Sequence, residues 1–338
     1  MSGGVDSTMS ALLLKEQGYD VEGVYMKLHT KPGYHEIHLA RAQKAADFVG
    51  VRLHVLDLQD AFERTVFLPF VDTYKEGRTP NPCALCNRTM KFGAMVDFAN
   101  SIGAYHIATG HYIKTDGTYL MQAEDDSKDQ SYFLFDIDKR VVPRLLFPLG
   151  EKHKSDIKAK AASIAGLESF ASQAESSEIC FVETSYTDVL KEFVDVDQEG
   201  EVLDQEGRVV STHRGYMHYT IGKRRGFSVN GAHDPHFVTE IRPQTNQIVV
   251  GTREALECHG VRVSDINMFG AHHVFECIVK LRYRNPGVAC RVEIDGDHAI
   301  VRLKEPVFGV ASGQAAVFYE GNTMIGGGWI DTTFSAPI

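Results

Sequence analysis

No run of apolar residues in this 338-residue chain is long enough to cross a bilayer, which excludes a helical membrane protein. No signal peptide precedes the first motif at Ser2, so a cytoplasmic location is expected. Cysteine is scarce. Six thiols in 338 residues do not make the disulfide framework of a secreted domain; they read as reduced, and some as reactive. Only one C-x-x-C is present, so a zinc site built from two such pairs is excluded. Internal repeats and low-complexity segments are absent too. Basic charge is not in excess: 35 Lys and Arg against 45 Asp and Glu give a net charge of −10, which argues mildly against nucleic acid as a partner. Binding depends on local patches, however, and Lys223-Arg224-Arg225 and Arg282 with Arg284 are basic clusters, with a solvated basic face as their alternative reading. With 43% hydrophobic and 24% charged residues, the chain is expected to fold into more than one domain.

What is present begins at the front, with Ser2-Gly3-Gly4-Val5-Asp6-Ser7. Adjacent glycines let backbone N–H groups approach an anion, and a helix expected from about Ser7 to Gln17 points its electropositive end at the loop. Asp6 is placed to cap that helix or to hold a magnesium ion. The spacing is neither G-x-x-x-x-G-K-[ST] nor G-x-G-x-x-G. It resembles the PP-loop of ATP pyrophosphatases, the alternative being a plain Gly-Gly turn.

The helix should bury Met9, Leu12 and Leu13 and stop at Gly18. Val21–Met26 reads as a buried strand, Glu36–Phe48 as a helix ending at Gly50, Val51–Leu58 as a strand with Val51, Leu53 and Val55 inward, and Ala61–Lys75 as a third helix. Such alternation implies a parallel α/β sheet, with ligands beyond the carboxyl ends of its strands. Met1 directly precedes Ser2, so the sequence offers no strand leading into the loop. His35 and His38 lack a third ligand nearby and read as surface residues.

In Arg78-Thr79-Pro80-Asn81-Pro82-Cys83-Ala84-Leu85-Cys86-Asn87 the prolines favour extended backbone. Asn87 is expected to cap a helix running to about Ala99, which puts Cys86 at an N-terminus where a thiolate is favoured. The Cys83/Cys86 pair alone fits a zinc knuckle, a redox pair or iron–sulfur ligation equally. His106–Tyr112 reads as a strand ending in a glycine turn, with a hairpin following at Asp116-Gly117. Lys128–Phe133 reads as a polar cluster or a capped helix start, and Ser155–Ala165 as a helix closing the α/β part. Cys180 alternates with apolar neighbours and, taken alone, reads as a buried packing residue. Beyond it, turn signals at Glu206-Gly207, Thr245-Asn246, Asp295-Gly296 and Glu320-Gly321-Asn322 predict an all-β tail. Seams are expected near Glu183 and Leu256. Cys258, Cys277 and Cys290 read as structural.

Together, S-G-G-V-D-S, Tyr25-Met26-Lys27, G-R-T-P-N-P-C-x-x-C-N, A-T-G-H-Y, K-D-Q-S-Y-F-L, Phe147-Pro148-Leu149-Gly150, S-x-E-I-C-F, H-Y-T-I-G-K-R-R-G and A-S-G-Q-A-A-V-F-Y occur in this order. The set resembles the tRNA-specific 2-thiouridylases of the MnmA family over nearly the whole chain, Ser2 to about Gly328. That resemblance implies a PP-loop ATP pyrophosphatase domain (1–183) of the adenine nucleotide alpha hydrolase type, a small linking tRNA-binding domain (184–255) and a C-terminal β-barrel (256–338). It implies ATP-dependent replacement of the wobble-uridine O2 by sulfur in the tRNA anticodon region. ATP and Mg2+ would be held by Ser2, Gly3, Gly4, Val5, Asp6, Ser7, Met26 and Gly110. Cys180 would carry a persulfide and Cys86 would be its partner nucleophile, forming a disulfide as sulfur leaves. Asn81, Pro82 and Cys83 would meet the target base, and His111, Lys128, Asp129, Gln130, Arg282, Tyr283 and Gln314 match positions that touch tRNA. A cysteine desulfurase or sulfur-relay protein would donate the sulfur.

Cys83 departs from many members, which carry Asp there. It is a bystander or resolving thiol in persulfide chemistry, or it joins Cys86 and Cys180 as ligands of a [4Fe–4S] cluster; the persulfide route is the preferred reading. Rival functions are a PP-loop synthetase that adenylates a small molecule, which has no need of Cys86 and Cys180, and a non-catalytic RNA-binding protein with a degenerate nucleotide site. A C-x-x-C redox sensor explains none of the other motifs.

Overall fold

The computed structural model describes residues 1–171, 179–182, 184–229 and 234–336. Ser176, Ser177 and Glu178 of the S-x-E-I-C-F motif, and the expected seam at Glu183, lie outside the described residues. The described residues form two compact units, the first within Met1–Val66, Cys83–Ser177 and Asn322–Met324, the second within Phe67–Pro82, Glu178–Gly321 and Ile325–Ile338.

The first unit is α/β, as its alternation predicts. Met1–Gly4 carry no strand, and the Met1 amino group donates to the Val24 carbonyl. Helix α1 (Val5–Glu16) begins two residues before the expected Ser7, because Gly4 takes the extended N-cap position. Strand β1 (Gly23–Lys27) is joined through helix α2 (Tyr34–Val49) to β2 (Leu53–Asp57), and the two strands pair in parallel with Met26 opposite Leu56. Val5 and Met9 of α1 pack with Ala45 of α2 and with Ile157 and Ala161 of the helix Lys154–Ser163. Leu12 and Leu13 only flank this core. Val55, expected inside, is exposed, since strand alternation sets it on the uncovered face of β2.

The expected strand His106–Tyr112 shortens to β3 (Ile107–Ala108), because the chain turns at Thr109-Gly110 and buries His111, Tyr112 and Ile113 beyond the turn. Strands β4 (Lys114–Thr115) and β5 (Leu120–Met121) form the expected hairpin, with the Asp116 carboxylate accepting from the Thr118 and Tyr119 N–H groups across its tip. Strand β6 (Leu145–Leu146) pairs with β3 in parallel.

Two sequence readings fail here. His35 is buried, not a surface residue: its Nδ1 lies 2.9 Å from the Tyr25 hydroxyl and its Nε2 2.6 Å from the His29 carbonyl. Asn87 caps nothing. Helix begins at Pro82, whose fixed φ suits a first helical position, and continues from Pro82–Cys86 through a wider-wound stretch, Asn87–Ala94, into Met95–Ser101. The Asn87 amide instead donates to the Phe133 carbonyl at 3.0 Å.

In the second unit, Phe70, Val71 and Tyr74 of the helix Leu68–Lys75 form a core with Leu190, Val196 and Met217. Strands β7 (Gly200–Leu203), β8 (Val209–His213), β9 (Phe237–Arg242) and β10 (Gln247–Gly251) make a sheet in the order β8-β7-β10-β9, with β7 and β10 parallel. Six further strands follow: β11 (Glu257–Met268), β12 (Val274–Lys280), β13 (Val288–Asp295), β14 (His298–Phe308), β15 (Ala315–Glu320) and β16 (Thr323–Phe334). Their order is β11-β14-β13-β12-β15-β16, and β16 returns to pair with β11, which closes a six-stranded barrel. Closure removes exposed strand edges. Val261, Val263, Val292, Val301, Phe318 and Ile330 fill the interior together with Cys258 and Cys290. All four expected tail turns fall between consecutive strands.

Candidate active site

The S-G-G-V-D-S loop is closed by its own hydroxyls. The Ser2 N–H donates to Ser7 Oγ at 3.2 Å, Ser7 Oγ donates to the Gly4 carbonyl at 3.1 Å, and Thr8 Oγ1 donates to the same carbonyl at 2.9 Å. Gly3 has φ +75°, and a Cβ there would lie 2.8 Å from the Arg41 and Ala42 backbone, so only glycine fits. No side chain caps α1, which leaves the loop and the helix start facing the same anion-attracting end.

Gly110 of A-T-G-H-Y comes against this loop: a Cβ on it would stand 3.1 Å from Asp6 C and Ser7 N. Two residues on, the Tyr112 hydroxyl donates to Asp6 Oδ1 at 3.0 Å. Asp6, expected as a helix cap or magnesium ligand, does not cap the helix. Its carboxylate accepts from Tyr112 and from the ammonium of Lys154, whose Nζ lies 2.6 Å from Oδ2. Sequence reading missed Lys154. The signal was faint: a lysine at the expected start of a helix, in a chain with 35 basic residues.

His111 is buried between Lys91 and Thr109, with Nε2 3.2 Å from Lys91 Nζ and Nδ1 2.7 Å from Thr109 Oγ1. An ammonium can only donate, so Nε2 accepts and Nδ1–H donates to Thr109. Burial, followed by the Lys91 charge, holds the imidazole well below its ordinary pKa and keeps it neutral. Asp129 is buried and accepts from the Ala123 N–H at 3.1 Å and the Ser131 hydroxyl at 2.8 Å. Gln130 Oε1 accepts from the Tyr112 N–H at 3.0 Å, so the K-D-Q-S motif braces the tyrosine that holds Asp6. Lys128 is half-buried, and Met26 lies near the carboxyl end of β1. Thus the structure brings Ser2–Ser7, Gly110, Tyr112, Gln130 and Lys154 together within the first unit.

Cys83 and Cys86 lie on the first turn and a half of the helical run from Pro82, Cys86 buried at 7% exposure and Cys83 half-buried. In the second unit Cys180 is exposed, which overturns its reading as a packing residue. Its neighbours do the packing: Ile179, Phe181 and Val182 join the Phe70–Tyr74 core, and the Phe181 ring stands edge-on to Phe70 at 5.1 Å. A thiol is thereby fixed at the surface by apolar side chains on both sides. Among the described residues no group of three or more His, Cys, Asp or Glu side chains is placed to hold a metal ion.

Also in the second unit, buried Asn81 and Pro82 follow a stretch held at several points. The Thr79 N–H donates to the Ser312 carbonyl at 2.9 Å, Gln314 Nε2 donates to the Thr79 and Pro80 carbonyls, and an Arg78 Nη donates to the Ile330 carbonyl at 3.2 Å. The two basic clusters converge. Gly222, just before Lys223-Arg224-Arg225, approaches Gly309, whose carbonyl lies 3.5 Å from Arg282 Nη1. Arg224, Arg225 and Arg282 are exposed, and Tyr283 is half-buried.

Comparison with known proteins matches three family models in chain order: a tRNA methyl transferase HUP domain at residues 1–184, a tRNA methyl transferase PRC-barrel domain at 187–252 and an aminomethyltransferase beta-barrel domain at 258–330. The tRNA-specific 2-thiouridylase MnmA of Sulfurimonas denitrificans is 65% identical over 331 residues, 98% of this chain and 97% of the relative. The proteins of the same name from Nitratiruptor sp. and Campylobacter jejuni are each 53% identical, over 98% of this chain and 97% and 98% of theirs. The chain belongs to the tRNA-specific 2-thiouridylase MnmA family.

Proposed function

We propose that this chain is an ATP-dependent tRNA-uridine 2-sulfurtransferase acting on the wobble uridine. The observation that carries the reading is 65% identity over 98% of the chain to a protein named tRNA-specific 2-thiouridylase. The geometry supports it through a glycine loop at a helix N-terminus and an exposed thiol between packed apolar neighbours. In this reading residues 1–183 activate and thiolate, 184–255 link and bind tRNA, and 256–338 form the barrel that completes tRNA binding.

The residues present fit a nucleotide. The N–H groups around Gly3, Gly4 and Val5 would take phosphate oxygens, Ser2 and Ser7 would donate hydroxyls, Asp6 would hold Mg2+, and Met26 and Gly110 would border the nucleotide. ATP supplies an electrophilic α-phosphorus. Uracil O2 attacks it, pyrophosphate leaves, and C2 then carries a leaving group that it lacked before. Asn81, Pro82 and Cys83 would receive the base once it has left its stack. Cys180 carries the terminal sulfur of a persulfide to C2, and AMP leaves with the original oxygen. Cys86 frees that sulfur by closing a disulfide with Cys180. The surface position of Cys180 suits loading by a separate persulfide donor. Arg282, Tyr283, Gln314, His111, Lys128, Asp129 and Gln130 would contact or shape the tRNA site.

The test is incubation with wobble-uridine tRNA, ATP, Mg2+ and a persulfide donor, followed by nucleoside mass spectrometry. We expect 2-thiouridine with the wild-type chain and none with Cys180→Ser or Cys86→Ser. Thiolation that survives Cys180→Ser overturns the proposed chemistry, and turnover of a small acceptor in place of tRNA overturns the substrate.

A further inference from the structure

Lys154 is the one strong cation bonded to the glycine loop among the described residues, yet its charge is spent inside the protein. Its side chain is 10% exposed and its ammonium contacts both oxygens of Asp6, a carboxylate that is itself 35% exposed at the loop. Its base is fixed independently: the Lys154 N–H donates at 2.9 Å to Asp125, whose carboxylate also accepts from the Ser127 hydroxyl at 2.6 Å. The stem then passes the Tyr112 ring, with Nζ 5.6 Å from the ring centre. A lysine anchored at its backbone and ending beside a half-open carboxylate is placed to change partners rather than to hold one. Resting neutrality demands this pairing, because an uncompensated Asp6 would repel any phosphate from the helix N-terminus.

We infer that Lys154 is the exchangeable cation of the phosphate loop. In the ligand-free chain it neutralises Asp6; when a polyphosphate enters, its ammonium turns to the phosphate oxygens and Asp6 is released to a divalent cation. The inference rests on the loop being a phosphate site, as proposed above, and it assigns Lys154 and Asp6 reciprocal roles there.

The consequence runs against intuition. Without divalent cation, Asp6 competes with phosphate for Lys154, so removing the Asp6 charge should strengthen binding of the bare anion. Inorganic pyrophosphate is titrated in EDTA, by calorimetry, into wild type, Asp6→Asn, and the double variant Asp6→Asn with Lys154→Met. Asp6→Asn is expected to bind about tenfold more tightly than wild type, and the double variant to lose that gain. With Mg2+ present the order of the first two should invert, since Asp6 is then needed for the metal. Lys154→Arg, which keeps the charge, serves as the folding control and should bind within a few-fold of wild type. A gain that persists in the double variant, or no gain in Asp6→Asn, overturns the exchange while leaving the phosphate site standing. Absence of pyrophosphate and ATP binding in wild type itself overturns both.

Discussion

Gln314 holds Pro80: its side-chain Nε2 donates to the Pro80 carbonyl at 2.9 Å and to the neighbouring Thr79 carbonyl at 3.1 Å. A residue matched to tRNA contact thus also fixes the segment that delivers Asn81 and Pro82 to the proposed base site. Gln314→Ala strips a donor from two carbonyls at a cost of about 1–3 kcal/mol. We expect 2-thiouridine formation to fall roughly tenfold or more, with ATP affinity unchanged. Gln314→Glu should fail equally, because a carboxylate cannot donate. Full activity in both variants would leave Gln314 without a positioning role.

Thiol accessibility gives a second prediction. Cys180 is exposed, Cys83 and Cys277 are half-buried, and Cys86, Cys258 and Cys290 are buried. Burial also pushes the Cys258 thiol up in pKa, which makes it inert. Brief alkylation of the native chain, read by peptide mass spectrometry, should therefore label Cys180 first and Cys258 and Cys290 last. Cys86 labelled ahead of Cys180 would contradict this order and the loading role of Cys180.

How much of this was legible in the sequence depends on the range of the interactions. Gly3, Gly110 and the four tail turns were readable because local backbone demands fix residue type. The thiols at Cys86 and Cys180 were readable as chemistry, but not their exposure. Burial of Cys180 or of His35 is decided by what packs beside them, and alternation in a short stretch does not say which side faces water. Asn87 misled because Pro82 already starts the helix five residues earlier. Lys154 stayed invisible because its partner Asp6 lies 148 residues away.

A third prediction concerns acid. His111 is neutral when folded, with a pKa well below the ordinary 6.5 through burial and then Lys91. Below about pH 6.5 the unfolded chain binds a proton that the folded chain refuses, so stability falls as pH falls. His213 and His218, lowered chiefly by burial, act in the same direction. Melting temperature should thus decline between about pH 7 and pH 5, and His111→Gln should flatten part of that slope. An unchanged slope in the variant would mean that His111 titrates normally.

The glycine loop offers a fourth. Gly3→Ala places a methyl group 2.8 Å from the Arg41 and Ala42 backbone in a residue at φ +75°. Strain of that kind costs about 1–3 kcal/mol. We expect ATP binding to be lost while Cys180 keeps its alkylation rate, since the defect lies in the loop. Wild-type ATP affinity in Gly3→Ala would rule out the loop as the nucleotide site.

The last prediction turns on charge. A chain with net charge −10 should repel RNA unless its cations are gathered. The approach of Gly222 to Gly309, with Arg282 bonded to that same glycine, brings the segments that carry exposed Arg224, Arg225 and Arg282 near one another in the second unit. Each phosphate neutralised there releases counterions, so tRNA affinity should fall steeply with salt. Arg282→Glu and Arg225→Glu should each weaken binding and lower the slope of log K against log salt by about 0.7–0.9 for every phosphate no longer neutralised. The effects of the two reversals should add where the side chains meet different phosphates, whereas ATP binding should not change. A salt-insensitive wild type would show that the basic surface is merely solvated. A steep wild-type slope that neither reversal alters would move the RNA to another face of the protein.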